Sequence, residues 1–263
     1  MIQDFVKSHW YANMYEQFVT ETSDVECLLR LLGPTPKNVL EVCCGSGRVL
    51  VPIAMAGHHA TGFDLDAEML AYLPAKVNRV KQHTPHIDIH WSEKDLFQGD
   101  WGGPYDAIIL AGNIMLNIIT EGDYDAAQRR MLALASQHVQ PQGHLILHFD
   151  CFAHPEEVFS SQRERLIFEG TDDRGVYGRY LICSGRYDPQ TQMARGSNRT
   201  ELTLPDGSKR VCYGSFAKHI PTLAQVHDWL QENDCVVVEE YGDDYGNPIG
   251  VKTHKAIIMA KKR

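Results

Sequence analysis

The sequence predicts an α/β chain: a doubly wound, mostly parallel seven-stranded sheet with an antiparallel β-rich segment inserted near its end. Three observations predict it. Short apolar runs alternate with helical periods from residue 38 to residue 150. A Gly45-Ser46-Gly47 turn follows directly on the first apolar run. From about 163 to 220 the helical period disappears, and extended pieces separated by turn signals replace it.

Composition narrows the partners. The chain has 263 residues, 43% of them hydrophobic and 22% charged, the balance of an ordinary globular protein. Its 25 Lys and Arg against 34 Asp and Glu leave a net charge of −9. That argues against nucleic acid, whose backbone is bound by clustered Lys and Arg. The longest apolar region, Ala107 to Ile119, is interrupted by Gly112, Asn113 and Asn117, so no membrane span is expected. The opening MIQDFVKSHW has no basic start leading into an apolar run, so no secretory signal is expected. Seven cysteines, an odd number without a CxxC pair, suit a reducing, cytoplasmic setting.

The elements follow in order. Residues 2–20 and 23–32 carry helical apolar spacing, and Gly33-Pro34 stops the second helix. NVLEV after Lys37 is a strand buried on both faces, and RVLVPIAMAG is a short helix closed by Gly57. Ala60–Asp64 is the second strand. Asp66 caps a helix to about Tyr72, which Pro74 ends. Ile87–Trp91 and Tyr105–Ala111 are the third and fourth strands. A helix over 124–139, capped by Asp123, leads through Pro141-Gln142-Gly143 into the fifth strand, HLILHF. Four extended pieces between 163 and 220 are separated by DDRG, DPQ and PDGS. Thr222 then caps a last helix before VVVEEY and AIIMAK, of which one is expected to run antiparallel. The domains expected are a core of 1–150 and 221–263, with helices over 1–33, and an inserted cap of 151–220.

The chemistry is concentrated in Val39–Leu70. Glycines let the backbone approach a ligand closely, and the helix that follows offers free N–H groups to an anion. Asp64 ends the second strand 19 residues after Gly45, where a carboxylate can bind both hydroxyls of a ribose. The constellation asks for a nucleoside bearing a small anionic group. The third glycine of the dinucleotide fingerprint would stand at position 50, which is Leu50, and this counts against NAD or FAD.

Glu41-Val-Cys-Cys-Gly45-Ser-Gly47 resembles the first motif of the class I S-adenosylmethionine-dependent methyltransferases of small-molecule type, similar to glycine N-methyltransferase. GFDLDAEML resembles their second motif. KDLF at 94–97, YDAIILAGN at 105–113 and VQPQGHLILHFD resemble the motifs after strand three, at strand four and before strand five. The resemblance covers about 1–150 and, more loosely, 222–262. It implies a Rossmann-like fold, S-adenosylmethionine as cofactor and S-adenosylhomocysteine as product. Gly45 and Gly47 would pass the methionine part, with Glu41 orienting the loop. Asp64 would bind the ribose, and Leu65 would lie against adenine. Asp95 would accept from the adenine amino group, beside the Leu96 backbone. The Ala111 carbonyl would face the methionine ammonium. Cys43, Arg48, Met69 and Asn113 complete the expected cofactor contacts. The N-terminal helix, with Tyr11 and Tyr15, resembles a lid. Cys43 or Cys44 stands where the family usually has glycine.

His148 is the candidate general base, with Asn113 and Asp150 as positioning groups. In-line methyl transfer asks mainly for alignment of nucleophile and methyl. The expected reaction is methyl transfer to a small molecule, nitrogen being favoured over oxygen or sulfur. The alternatives are a catalytically silent cofactor-binding regulator and an aminopropyl transferase, the latter disfavoured because AGNIMLN carries no carboxylate. Tyr177, Arg179, Tyr180, Arg199 and Tyr213 on the cap suit an amine or planar acceptor. No metal is expected: His83, His86 and His90 straddle a loop and a strand, and Asn113 stands where a metal site after strand four would want an acid. Cys43 and Cys44 read as small hydrophobes, His58-His59 as a solvated turn and Asp243-Asp244 as loop charges. A monomer or homodimer is expected.

Overall fold

The structure, a computed structural model, describes residues 5–263. Helix α1 (Phe5–Phe18) buries Trp10, Ala12 and Met14; the first residues of the helix expected from position 2 lie outside the described residues. Helix α2 (Ser23–Leu32) buries Val25, Leu28 and Leu32, one face at helical spacing, and ends at Gly33 with φ +69°. The core then proceeds through β1 (Asn38–Val42), α3 (Leu50–Met55), β2 (His59–Asp64) and α4 (Ala67–Leu70). Asp66 caps α4 by accepting from the N–H groups of Glu68 and Met69. Helix α5 (Leu73–Lys81) comes next, with Pro74 in its first turn. Pro74 therefore opens a helix rather than ending one, because the first turn has no N–H to lose.

Strands β3 (Ile89–Glu93) and β4 (Tyr105–Leu110) lead to the short α6 (Ile114–Asn117), to α7 (Tyr124–His138) and to β5 (Val139–Asp150). Asp123 caps α7 as expected, accepting from Asp125 and Ala126. The cap comprises α8 (Pro155–Phe159), β6 (Glu164–Thr171), β7 (Tyr177–Asp188), β8 (Met193–Thr203) and β9 (Lys209–His219). Helix α9 (Leu223–Glu232) starts in a reciprocal Thr222–Gln225 capping box, and β10 (Cys235–Tyr241) and β11 (Lys255–Lys262) close the chain.

The large sheet has the order β10-β11-β5-β4-β1-β2-β3. Strands β1 to β5 pair in parallel, and β11 alone runs against its neighbours. This is the mixed α/β, Rossmann-like sheet that the sequence predicts. The strand order reverses between β1 and β4, and open α/β sheets bind ligands at the carboxyl ends flanking such a point. Leu40, Ile108, Ile109, Ile146 and Ile258 are fully buried along its middle. Glu41, Ile109 and Ile146 lie in one row across the sheet. The period of two places His148 and Asp150 on the same face as Ile146. No helix among the described residues is long and apolar enough to cross a membrane.

The chain divides into two units. One spans Thr22–Ala153 and Pro221–Arg263 and holds the seven-stranded sheet; the other joins the described residues up to Glu21 to His154–Ile220. In the second unit an antiparallel sheet, β6-β7-β8-β9, receives α1. Trp10 and Met14 are buried there with Val176 and Leu202, and Trp10 Nε1 donates to the Gly170 carbonyl at 3.1 Å. A Cβ at Gly178 would lie 2.4 Å from the Trp10 ring, so bare glycine is what admits the indole. The division falls at 21/22 and not at 33, so α1 goes with the cap while α2 goes with the core.

Candidate active site

The chain leaves β1 in a loop with three left-handed residues: Cys43 at φ +57°, Gly45 at +51° and Gly47 at +78°. Cys43 thus keeps the backbone conformation that glycine would adopt freely. Holding a side chain there costs roughly 1–2 kcal/mol. The Gly45 N–H donates to Asp64 Oδ2 at 2.8 Å, and the Asp66 N–H to Asp64 Oδ1 at 2.9 Å. The carboxylate is therefore fixed across the ends of β1 and β2, with acceptor capacity left on both oxygens. A Cβ on Gly45 would reach within 3.3 Å of Met69 Cε and 4.0 Å of Asp64 Oδ2, so glycine leaves the approach to that carboxylate open. Gly47 serves packing instead: its Cβ would stand 2.2 Å from Leu73 Cδ2. Burial moves the Asp64 carboxyl above the ordinary range, against the pull of its backbone donors.

Behind the loop lies a buried charge cluster. Arg48 grips Asp24 of α2 through both terminal nitrogens, Nη1 to Oδ1 at 2.8 Å. Burial raises the Asp24 carboxyl, but the Arg48 contact outweighs it and the net direction is downward. Glu41 is buried, and its Oε2 has no hydrogen-bond partner among the described residues. Burial pushes its carboxyl well up; Arg48 opposes this and Asp64 adds to it. Cys43 and Cys44 are free thiols raised by burial, so neither is a ready thiolate.

The remaining expected contacts lie at strand ends. Leu65, directly after Asp64, is 62% exposed. Asp95 accepts from the Phe97 N–H at 2.8 Å and from Gln98 Nε2 at 3.0 Å, which makes it the cap of its own turn. The Leu96 carbonyl accepts from Trp101 Nε1 at 3.0 Å. The Ala111 carbonyl accepts from the Ile114 N–H at 3.2 Å. Asn113 sits at φ +62° and clips onto Asp150: its Nδ2 donates to Oδ2 at 2.8 Å, and the Asp150 N–H donates to its Oδ1 at 3.0 Å. His148 is buried, with Nε2 2.8 Å from Asp244 Oδ1. Tyr11 and Tyr15 belong to the other unit, where Tyr11 packs edge-on against Phe168 and Tyr180 at 5.7 and 5.3 Å.

Residues 39–143 match the family described as a methyltransferase domain. Over that stretch, from β1 into β5, the chain is similar to a methyltransferase domain. The putative methyltransferase YqeM of Bacillus subtilis is 23% identical over 184 residues, 63% of this chain and 68% of that protein. An S-adenosylmethionine-dependent methyltransferase from Clostridium acetobutylicum shares the fold at TM-score 0.73, with 11% identity, covering 96% of this chain and 97% of that one. The sugar N-methyltransferase KedS8 from Streptoalloteichus sp. shares it at TM-score 0.69, with 17% identity, covering 96% and 92%.

Elsewhere in the chain several sequence readings need correction. Asp244 is not a loop charge: it is buried and holds His148, Lys255 Nζ and, at 3.1 Å, Ser23 Oγ. Asp243 is one, accepting from Tyr245 and Asn247 within its own turn. His58 is buried rather than solvated, while His59 is exposed and pairs with Asp88. On the cap, Arg199 and Arg179 pair with Glu164, Glu169 and Glu201, and Tyr180 packs on Phe168. Gly62 was not singled out, yet its Cβ would lie 2.8 Å from Cys44 Sγ. The small residue on β2 makes room for the thiol that follows β1. The signal was a glycine inside an apolar strand.

Proposed function

We propose that the chain transfers the methyl group of S-adenosylmethionine to a small-molecule acceptor, at nitrogen in preference to oxygen or sulfur. The observation that carries this reading is the pairing, at the carboxyl ends of β1 and β2, of a glycine-opened loop with the Asp64 carboxylate, beside the exposed Leu65. The donor set fits the cofactor. Asp64 would accept from a ribose diol with its remaining lone pairs, and Leu65 would offer an apolar face to adenine. Gly45 and Gly47 border the methionine part. Glu41, with Oε2 left unpartnered among the described residues, accepts from the Leu50 backbone at the start of α3 and would so orient the loop. Cys43 and Met69 would wall the loop, Asp95 and Leu96 would border the adenine edge, and the Ala111 carbonyl would accept from the ammonium.

When bound, S-adenosylmethionine supplies an electrophilic methyl group on a sulfonium. The protein's share is alignment and proton transfer. Asn113 and Asp150, fixed to each other, orient the acceptor. His148 takes the acceptor proton at Nδ1, because Nε2 is committed to Asp244. These residues would hold the acceptor nitrogen in line with the methyl carbon, the cofactor leaving as its neutral thioether and the acceptor proton passing to His148. The net charge of −9 supports a cationic or neutral acceptor, and the likeness to a sugar N-methyltransferase supports nitrogen. The test is transfer of a radiolabelled methyl group to matched pairs of amine and hydroxyl acceptors, amino sugars among them. Turnover on the amine member is expected. Turnover on hydroxyls alone overturns the nitrogen assignment. Binding of the cofactor with no turnover on any member favours the silent regulator.

A further inference from the structure

The turn joining β6 to β7 gathers side chains that methyl transfer does not use. His9 of α1, Asp172 and Asp173 each present one metal-ligating atom, and these atoms lie within 4.8 Å of one another. His9 Nε2 and Asp173 Oδ1 are 2.7 Å apart. Asp172 is only 6% exposed. Its Oδ1 accepts from the N–H groups of Arg174 at 3.0 Å and Val176 at 2.8 Å, which locks the carboxylate in place. Its Oδ2 is buried with no hydrogen-bond partner among the described residues. A buried acceptor left unsatisfied is destabilising. The turn itself needs only the one bonded oxygen, so the second must answer to something else.

We propose that His9, Asp172 and Asp173 bind a divalent cation at the tip of the β6–β7 hairpin. One imidazole nitrogen and two carboxylate oxygens suit zinc, manganese or a similar first-row ion. Bonds of about 2.1 Å place neighbouring ligand atoms roughly 3 Å apart and opposite ones about 4.2 Å apart, within the observed spread. The Asp173 side chain is 61% exposed, which gives the ion an entry path and room for water ligands. The cation offsets two adjacent carboxylates and clips α1 to the hairpin, next to the Trp10 bond to Gly170. The site stands independently of the methyl-transfer reading, since its three ligands all lie in the cap unit.

The test uses the full chain, stripped with a chelator and titrated with Mn2+, an ion with little taste for the seven free cysteines. Free Mn2+ is followed by electron paramagnetic resonance and Tm by calorimetry. One Mn2+ per chain is expected, with a rise in Tm. Asp172→Asn keeps an acceptor for Arg174 and Val176, so the turn is retained, and should weaken binding at least tenfold. His9→Gln provides a second variant and should do the same. An absence of stoichiometric binding at millimolar Mn2+ overturns the site. So does binding undiminished in both variants, and the His9–Asp173 contact is then an ion pair alone.

Discussion

His148 Nε2 on β5 lies 2.8 Å from Oδ1 of Asp244, 96 residues later in the loop between β10 and β11, and both residues are buried. Lys255 Nζ takes the other Asp244 oxygen, and Arg30 Nη2 donates to its carbonyl at 3.0 Å. The loop is therefore anchored to the core sheet through its charges. Removing one partner of a buried pair leaves the rest uncompensated, at about 3–5 kcal/mol. Asp244→Ala should lower the free energy of unfolding by about 3 kcal/mol in urea titration; an unchanged midpoint contradicts the anchoring. Burial raises the Asp244 carboxyl, but Lys255 and His148 outweigh it, and the net direction is downward. A depressed carboxyl contributes stability above its unfolded value of about 3.9 and loses it as pH falls through the folded value. The difference between wild type and Asp244→Asn should therefore shrink in acid.

Glu41 titrates in the opposite sense. Burial lifts its carboxyl well above the ordinary range, against Arg48. A raised carboxyl favours the folded state below the unfolded value of about 4.3, and that contribution is lost as pH rises toward the folded value. Glu41→Gln cannot titrate. Stability curves of the two proteins against pH should separate above pH ~4.3, with the glutamine variant gaining relative to wild type. Parallel curves would sink the assignment of Glu41 as a buried, strained acid.

Cys43 tests the loop backbone. Glycine at φ +57° relieves a left-handed side chain worth roughly 1–2 kcal/mol, offset by unfolded-state entropy and lost thiol packing. Cys43→Gly should stay within about 1 kcal/mol of wild type. Cys43→Val puts a β-branched residue where it is a steric outlier and should unfold well below it. Equal melting temperatures for the two variants would contradict the conformation.

Asp64 tests the nucleoside end. Asp64→Asn keeps an acceptor for the loop but loses the charge. A hydrogen bond to a charged group contributes about 1.5–3 kcal/mol, so affinity for S-adenosylhomocysteine should fall roughly 10- to 100-fold. An unchanged Kd would place the ribose elsewhere.

The sheet and the glycine loop were legible because local pattern determines both. Alternating apolar runs mark the strands, and Asp66, Asp123 and Thr222 mark helix starts through their own side-chain bonds. Asp244 was not legible, since its partners His148 and Ser23 are remote in sequence and a polar loop residue looks solvated. His58 was hidden for the same reason. Pro74 was misread because proline both opens and ends helices, and only the periodicity of Leu73 and Val77 decides. The place of α1 followed from Trp10 meeting Gly178, a contact no spacing encodes. At the site, Asp64, Asn113 and Asp150 are legible as strand-end groups; the bond between Asn113 and Asp150, 37 residues apart, is not.

The proposed function stands on whether the Gly45–Asp64 edge binds an S-adenosyl nucleoside. Calorimetric titration of the full chain with S-adenosylhomocysteine and, separately, with NAD tests it most directly. Saturable one-to-one binding of S-adenosylhomocysteine, weakened in Asp64→Asn, is expected, with no heat from NAD. Saturable binding of NAD with none of S-adenosylhomocysteine would contradict it.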